Sequence, residues 1–311
     1  MSEPTDTIAL LHALEPTVET NLNRHLATAK EWFPHEYVPW SAGRDFNGIM
    51  GGEEWSPEQS QLPELARTSL IVNLLTEDNL PSYHYEIATT FGRDGAWGTW
   101  VHRWTAEEGR HGTAIRDYLT TTRAVDPVAL ERARMTHMEA GFANQQPGVL
   151  PSISYVSFQE LATRVSHRNT GHVSGDPVCD QLLAKVAADE NLHMLFYRNL
   201  LGAALELAPN GTMRAITDVV KSFQMPGHGI EGFGRKAVQI AMGGIYDLRI
   251  HHDEVLTPIL RQLKVLDRTG LSGEGEKARD ELAEFLAGLD AQATRFEEKR
   301  AAVQARKAAR E

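Results

Sequence analysis

Two four-residue stretches decide the fold of this chain: Glu108-Gly109-Arg110-His111 and Glu190-Asn191-Leu192-His193. Both read Glu-x-x-His, and residues three apart on an α-helix share a face. Each stretch can therefore direct a carboxylate and an imidazole to one point. Another glutamate, Glu77 or Glu160, precedes each stretch by about thirty residues, in sequence of helical character. The repetition predicts one site to which four helices contribute.

The neighbours of these motifs predict that the site is buried. An isolated Glu-x-x-His is usually an exposed pair on a solvated helix face. Here, however, the helical face of Glu190 also carries Val186. Around Glu108 the same face carries Trp104 and Ile115. These neighbours have the character of core residues, so the glutamates are expected to point inward.

Several buried glutamates in one place predict a metal centre. Burying them is costly unless positive charge neutralises them, and two divalent cations supply that charge. Two Glu-x-x-His helices, together with one glutamate from each of two others, make the carboxylate-bridged di-iron centre of ferritin-like bundles. The predicted ligands of two Fe²⁺ ions are Glu77, Glu108, His111, Glu160, Glu190 and His193.

Composition excludes several classes of protein. At 311 residues with 41% hydrophobic content, the chain can bury a large core. It contains no apolar run near the roughly twenty residues that a membrane-spanning helix needs. The net charge of −11 disfavours nucleic acid as a partner. The N-terminal residues read as neither a secretory signal nor a transit peptide, which predicts a cytoplasmic protein.

The cysteine and the remaining histidines add little. Cys179 is the only cysteine, which excludes an intrachain disulfide and an iron–sulfur cluster held by cysteines of this chain. A packing role is the expectation for it. The other histidines, including the adjacent His251 and His252, lack matching partners and are assigned no role.

Helical signals dominate, so the predicted fold is all-α: a ferritin-like four-helix di-iron bundle extended by additional helices. A single domain is expected over residues 1–311. Residues 1–56 form an N-terminal helix and loop, residues 63–207 the di-iron helices, and residues 210–311 additional helices ending in a basic tail. The predicted helices up to the end of the bundle span about residues 6–30, 63–91, 95–122, 127–140, 153–167 and 177–207.

Proline and glycine predict where helices bend or stop. Pro81 lies four residues after Glu77 and cannot donate to that residue's carbonyl, so a bend is expected there. Breaks are expected at Met225-Pro226-Gly227-His228-Gly229 and at Thr269-Gly270-Leu271-Ser272-Gly273. Residues 295–311 read as an exposed helix or a frayed tail.

Four residues near the motifs are candidates for supporting roles. Glu107 and Asp189 immediately precede the motif glutamates, and each could bond the free nitrogen of a ligand histidine. The alternative is a solvated helix acid. Thr163 could place a hydroxyl beside the metals to assist oxygen or proton handling, or could bond its own helix backbone. Trp32 could carry electrons towards the site, or could simply pack.

Longer blocks of sequence resemble one family. Trp104-Thr105-Ala106-Glu107-Glu108-Gly109-Arg110-His111-Gly112 is similar to the Trp-Thr-Ala-Glu-Glu-Asn-Arg-His-Gly block of the soluble acyl-acyl-carrier-protein desaturases. The resemblance continues to about residue 285, and looks closest to the actinobacterial, mycobacterial-type members. The other matching blocks begin at Thr76-Glu77-Asp78, Ser157-Phe158-Gln159-Glu160, Ala188-Asp189-Glu190, Met225-Pro226 and Thr269-Gly270.

The resemblance implies an O₂-dependent enzyme of fatty acid biosynthesis that inserts a cis double bond into a saturated acyl chain carried on acyl-carrier protein. It also implies reduced ferredoxin or a similar donor, a homodimer, and a bent hydrophobic channel passing a di-iron centre. The family's six ligands correspond to the six residues derived above. Its oxygen-side threonine corresponds to Thr163, and its electron route to Trp32, His111 and Asp189.

Departures from the plant pattern leave two properties open. The loop before Trp97 and the stretch over residues 144–151 differ, so acyl length and double-bond position are not predicted. Another di-iron oxygenase, such as a hydroxylase, and a ferritin-like iron-handling protein stay as alternatives, although the length of the chain counts against the latter. A ribonucleotide reductase radical subunit fits poorly because Ile115, not tyrosine, lies four residues after His111.

Overall fold

The computed structural model describes residues 6–142, 147–227 and 229–309, and their regular secondary structure is helical apart from one isolated β-bridge between Phe46 and Glu53. The all-α prediction is confirmed. The helices are α1 (Thr7–Thr28), α2 (Glu64–Asp78), α3 (Leu80–Phe91), α4 (Gly95–Thr121), α5 (Pro127–Ala140), α6 (Val149–Ser174), α7 (Pro177–Leu207), α8 (Pro209–Ser222), α9 (Phe233–Met242), α10 (Leu248–Ile250), α11 (Thr257–Gln262) and α12 (Glu274–Ala308), with a π-helical segment, His251–Leu256, between α10 and α11.

Four of these helices carry the predicted ligands and pack on one another. Helix α2 packs against α4 and α6, α6 packs closely along α7, and α4 also meets α7. Helix α1 packs against α4 and α7, while α8 packs against α6 and α12 packs against α8. The ligand helices therefore form a bundle enclosed by the additional helices, as the sequence predicts.

Local capping explains where the long helices begin. The side chain of Asp176 accepts a hydrogen bond from the backbone N–H of Val178, and Pro177 occupies the first turn of α7. Asp126 and Pro127 do the same for α5. These aspartate–proline pairs are why the predicted starts of both helices agree with the structure.

The helix is interrupted near Pro81, as predicted, but the interruption divides it into two helices and is more than a bend. The expected helix over residues 63–91 divides into α2 and α3 at Asn79, whose backbone is at φ −80° and ψ 10°. Pro81 sits in the first turn of α3, where its missing N–H costs no helical hydrogen bond. The Asn79 side chain donates to the carbonyl of Gly141 at 3.1 Å. Glu77 thus lies in the last turn of α2.

Helix α6 is longer than predicted. Instead of residues 153–167 it spans Val149–Ser174 and stops at Gly175, which adopts the left-handed conformation at φ 66°. The added C-terminal turns are polar in sequence but are held by neighbours. Thr170 and Ser69 share a hydrogen bond of 2.7 Å, and Asn169 donates to the carbonyl of Ile245 at 2.9 Å.

The C-terminal breaks also agree with the sequence. The chain leaves helical geometry between α8 and α9 and again before α12, at the two predicted positions. His228, in the first break, lies outside the described residues, as do residues 144–146 of the divergent stretch. The predicted tail forms the end of α12 as far as Ala308, whereas residues 310 and 311 lie outside the described range. Over the described ranges, no helix has the length and apolarity to cross a membrane.

Candidate metal centre

The six predicted ligands meet in the middle of the bundle, all of them buried. Their ligand atoms fall into two groups, within each of which every atom lies within 4.8 Å of the others. Glu108 and Glu190 belong to both groups. The first group adds Glu77 and His111, and the second adds Glu160 and His193. Two cation positions bridged by two shared carboxylates are the arrangement that this geometry can build.

The two histidines direct the same nitrogen at the glutamates. His193 Nδ1 lies 2.7 Å from Glu108 Oε1 and 3.6 Å from Glu160 Oε2. His111 Nδ1 lies 3.2 Å from Glu108 Oε2 and 3.4 Å from Glu190 Oε1. Both Nδ1 atoms, together with Glu108 Oε1 and Glu160 Oε2, are buried and have no hydrogen-bond partner. Buried nitrogen and oxygen atoms that lack a hydrogen-bond partner are suited to bind metal ions held between them.

Mutual repulsion of the carboxylates shows why cations suit the site. Burial and the charge of Glu190 raise the pKa of Glu108. Burial, followed by the charges of Glu190 and Glu108, raises the pKa of Glu160 well above its ordinary value. Burial acts in the same direction at Glu77, but hydrogen bonds from His111 and His167 lower its pKa. Two divalent cations would neutralise the four ligand glutamates.

Three of the ligand glutamates are also tethered by neighbouring side chains. His167 Nε2 lies 3.0 Å from Glu77 Oε1, and Trp104 Nε1 donates to Glu160 Oε1 at 3.0 Å. The Thr163 hydroxyl lies 3.1 Å from Glu190 Oε2, and it is equally close to carbonyls of its own helix. Thr163 therefore bonds its own helix backbone and also lies beside a ligand glutamate, while its role in oxygen or proton handling stays a prediction.

The acids that precede the motifs bond the ligand histidines crosswise. Glu107 on α4 accepts from Nε2 of His193 on α7 at 2.9 Å. Asp189 on α7 faces Nε2 of His111 on α4 at 3.4 Å. A neutral imidazole that donates through Nε2 presents the lone pair of Nδ1 to the glutamates. Both acids thus lie within hydrogen-bond distance of a motif histidine, as expected, while the role of these histidines as metal ligands stays a prediction.

Sequence and geometry agree with one known family. A family model described as fatty acid desaturase matches residues 6–311. The chain belongs to the fatty acid desaturase family. The resemblance derived from the motifs is thus confirmed.

Members of the family from distant organisms are similar over most of this chain. DesA1 of Mycobacterium tuberculosis, named as an acyl-[acyl-carrier-protein] desaturase, is 52% identical over 305 residues, covering 96% of this chain and 90% of DesA1. A seed-specific chloroplastic stearoyl-[acyl-carrier-protein] 9-desaturase of Brassica napus is 31% identical over 320 residues, covering 96% of this chain and 78% of that protein. The X-ray structure of M. tuberculosis DesA2 superposes with a TM-score of 0.67 at 32% identity, covering 82% of this chain and 99% of that one.

In this member of the family Trp32 is buried against the metal centre. Its Nε1 donates to Asp189 Oδ2 at 2.7 Å, and its ring stacks on that of His111 with centroids 6.4 Å apart. Arg110 lies over the indole at 4.6 Å and donates to the same carboxylate oxygen at 2.8 Å. Although burial opposes it, hydrogen bonds from His111 and then Trp32 help to lower the pKa of Asp189. Trp32, Asp189 and His111 are therefore in continuous contact.

Two histidines to which the sequence assigned no role are part of the network, so that assignment is wrong for them. His167 holds Glu77, and its position seven residues after Glu160 puts it on the same face of α6, which is a signal that could have identified it. His25 on α1 bonds Glu107 at 2.9 Å. No spacing in the sequence relates His25 to the motifs, because only the packing of α1 brings it there.

Two cavities lie side by side at Glu77. The first spans about 690 Å³ and the second about 590 Å³ of empty space that is partly open to solvent, and Thr76, Glu77, Thr163 and Pro226 line both. Thr76 donates to the carbonyl of Pro226 at 3.1 Å between them. The walls are largely apolar or aromatic, and include Leu80, Tyr83, Ile87, Phe142, Tyr155 and Val156 in the first, and Val72, Met225, Phe233, Ala237, Ile240 and Tyr246 in the second.

Proposed function

We propose that this chain is a di-iron acyl-[acyl-carrier-protein] desaturase that inserts a cis double bond into a saturated acyl chain, using O₂ and electrons from reduced ferredoxin or a similar donor. The balanced reaction consumes one –CH₂–CH₂– unit, one O₂, two electrons and two protons, and yields one –CH=CH– unit and two waters. The observation that carries the proposal is the pair of ligand groups sharing Glu108 and Glu190 beside an apolar cavity.

Iron is proposed because of the chemistry of the donor set. Carboxylates and imidazoles suit iron among the biological metals, and cysteine is absent from the groups. A bound pair of iron ions would supply the oxidising chemistry that unactivated methylene groups require. No side-chain acid or base can perform that oxidation. The first ion would be held by Glu77 and His111, the second by Glu160 and His193, and both by Glu108 and Glu190.

The apolar cavities support an acyl chain as the substrate. Burial of the chain's methylene groups provides binding energy without polar contacts, at about 0.8 kcal/mol for each CH₂. Ile87 and Val156 can pack against the chain, while Glu77 and Glu108 border the same space. The cavity wall can hold one methylene pair at these glutamates and can exclude water. In this way it can help to select the position of the double bond.

Thr163 and Trp32 have proposed roles on opposite sides of the ligands. Thr163 lines both cavities, so its hydroxyl lies where oxygen and the acyl chain are expected, and it can pass a proton to or from Glu190. Trp32, Asp189 and His111 form the proposed route for electrons from the donor. Because the family resemblance implies a homodimer and an acidic carrier protein, we include both as partners, together with a basic docking surface on this chain.

Product analysis tests this proposal against its alternatives. Iron-loaded protein is mixed with stearoyl- or palmitoyl-carrier protein, chemically reduced donor and O₂, and the acyl product is weighed by mass spectrometry. A product two mass units lighter supports the desaturase. A product sixteen units heavier indicates a hydroxylase, and rapid Fe²⁺ oxidation without any acyl product favours iron handling.

A matched pair of variants links the product to the site. Glu108→Gln removes a carboxylate that both ligand groups share, and we expect it to abolish product formation. Glu298→Gln makes the same chemical change at an exposed position of α12 and is expected to leave the yield unchanged. Equal yields from the two variants would overturn the proposed role of the site.

A further inference from the structure

His25 joins the metal centre through a shared carboxylate oxygen. Its Nε2 lies 2.9 Å from Glu107 Oε2, and His193 Nε2 lies 2.9 Å from the same oxygen. The other oxygen of Glu107 pairs with Arg103 Nη2 at 2.5 Å. His25 and Glu107 are both buried, at 4% exposure each. Two imidazoles therefore donate to one buried carboxylate, which is fixed from three sides.

Ring packing also holds His25 in place. Its ring stacks on that of His193, with centroids 5.8 Å apart and planes 25° apart. The edge of the ring meets Trp100 at 5.0 Å, and Trp100 in turn meets His193 at 6.0 Å. His25 and Trp100 therefore both contact the His193 ring. The orientation of His193 thus depends on α1, which supplies no predicted ligand.

The two metal positions are supported by different chemistry. At the first, Asp189 is held by the indole of Trp32 and the guanidinium of Arg110. At the second, Glu107 is held by His25, whose Nδ1 is buried without a hydrogen-bond partner. His25 also lines a surface cleft of about 310 Å³, whose other walls are Asn21, Arg24, Thr28, Leu192, Leu195, Phe196 and Asn199. Only the second support is therefore reached from this cleft.

We propose that His25 is a positioning residue for the metal ion of the His193 group, an inference that rests on the proposed function. Its donation to Glu107 keeps that carboxylate aimed at His193 Nε2–H, which in turn keeps the lone pair of His193 Nδ1 aimed at Glu108 and Glu160. Removal of the direct hydrogen-bond partner of a ligand histidine weakens metal affinity by about 10- to 100-fold, and His25 acts on that partner, Glu107. The loss falls mainly on one of the two positions, because among the described residues no hydrogen bond or ring contact joins His25 directly to Asp189 or His111.

A pair of substitutions separates the hydrogen bond from the ring packing. His25→Phe keeps an aromatic ring against Trp100 but removes the donor to Glu107. His25→Gln keeps an N–H donor at nearly the same reach. Thr28→Val changes another wall of the same cleft and serves as the control. The measurement is the release of Fe²⁺ to a coloured chelator over time, with far-UV circular dichroism to verify folding.

We expect two-phase release from His25→Phe, with one iron per chain lost about 10- to 100-fold faster than from the wild type and the other unchanged. His25→Gln should restore most of the retention, and Thr28→Val should behave as the wild type. Glu160→Gln removes a ligand used only in the His193 group and gives the reference trace for the remaining position. Equal acceleration of both irons, or none, overturns the assignment.

Chemical rescue adds a test that a purely structural role would not pass. His25→Ala leaves space for a free imidazole, which can enter through the cleft. Millimolar imidazole should slow iron release from this variant, while the wild type in the same imidazole corrects for direct chelation. Absence of rescue, with the variant folded, contradicts positioning through the imidazole. If the wild type itself holds fewer than two irons, the proposed function fails instead, so the two failures are distinguishable.

Discussion

Replacing Asp189 with asparagine tests whether one buried carboxylate holds the Trp32 side of the site together. Asp189 Oδ2 receives Trp32 Nε1 at 2.7 Å, Arg110 Nη2 at 2.8 Å and, more weakly, His111 Nε2 at 3.4 Å. Asparagine has nearly the same shape but no charge. Its amide group also places a donor where one carboxylate oxygen stood.

The expected loss follows from the two short bonds. A hydrogen bond to a charged group contributes about 1.5–3 kcal/mol to stability, against about 1 kcal/mol for a neutral pair. Each short bond therefore loses about 1 kcal/mol, and the free energy of unfolding of Asp189→Asn should fall by about 2 kcal/mol. Lys185 lies 3.9 Å from the other oxygen and adds little.

Denaturant unfolding of the metal-free protein, followed by far-UV circular dichroism, measures this loss without a contribution from metal affinity. Trp32→Phe removes one donor, so Asp189→Asn should cost only about 1 kcal/mol in that background, a coupling of about 1 kcal/mol. Asp267→Asn, at an exposed position, is the control and should stay within about 0.5 kcal/mol of the wild type. The reasoning would be refuted if Asp189→Asn also lowered the free energy of unfolding by less than about 0.5 kcal/mol, or if its effect and that of Trp32→Phe were strictly additive.

Three further predictions concern oxygen, the acyl chain and pH. Thr163→Val should keep both irons but form less product for each O₂ consumed, and Thr163→Ser should recover the ratio, as an oxygen electrode with product analysis can measure. Val156→Trp, which narrows the first cavity, should lower kcat/KM for the longest accepted chain by about tenfold or more without loss of iron; an unchanged chain-length profile would separate that cavity from substrate binding. Burial, and then the charge of His252, lower the pKa of His251 to about 4. His251 therefore stays neutral in the folded protein at neutral pH. The stabilisation that is present above about pH 6.5 is lost as the pH falls towards 4, by about 2 to 3 kcal/mol at pH 4.5. His251→Phe should remove this part of the pH dependence in denaturant unfolding, and an unchanged difference between pH 7 and pH 4.5 would contradict the buried neutral state.

The convergence of the six side chains was predictable because helical geometry acts over short distances. Once Glu108 and His111 are three residues apart on a helix, their side chains share a direction regardless of the rest of the fold. The second Glu-x-x-His motif, at Glu190 and His193, then indicated the other half of the site. What the spacing did not indicate is that Glu108 and Glu190 belong to both groups, since that depends on how closely α4 and α7 approach.

Helix ends were predictable where a local signal exists. Asp176-Pro177 starts α7 through a cap and a proline, both of which are read from neighbouring residues. The end of α6 was underestimated because Asn169 and Thr170 look like loop residues, and their partners, Ile245 and Ser69, are distant in sequence. Tertiary hydrogen bonds had outweighed local preference.

The contact of His25 on α1 with Glu107 could not be predicted from the sequence. His25 precedes Glu107 by 82 residues, and no periodicity connects them. His167 was accessible in principle, through its helical spacing from Glu160. The single-domain organisation and the roles of Thr163 and Trp32 in turnover stay predictions, and the sequence does not predict the acyl length.

Anomalous X-ray diffraction at the iron edge, from crystals of the iron-loaded wild type, tests the proposed centre most directly. Two peaks per chain are predicted, each contacted by Glu108 and Glu190, one also by Glu77 and His111 and the other also by Glu160 and His193. A single peak, no peak, or a peak between His25, Glu107 and His193 in place of these would contradict the proposed di-iron site.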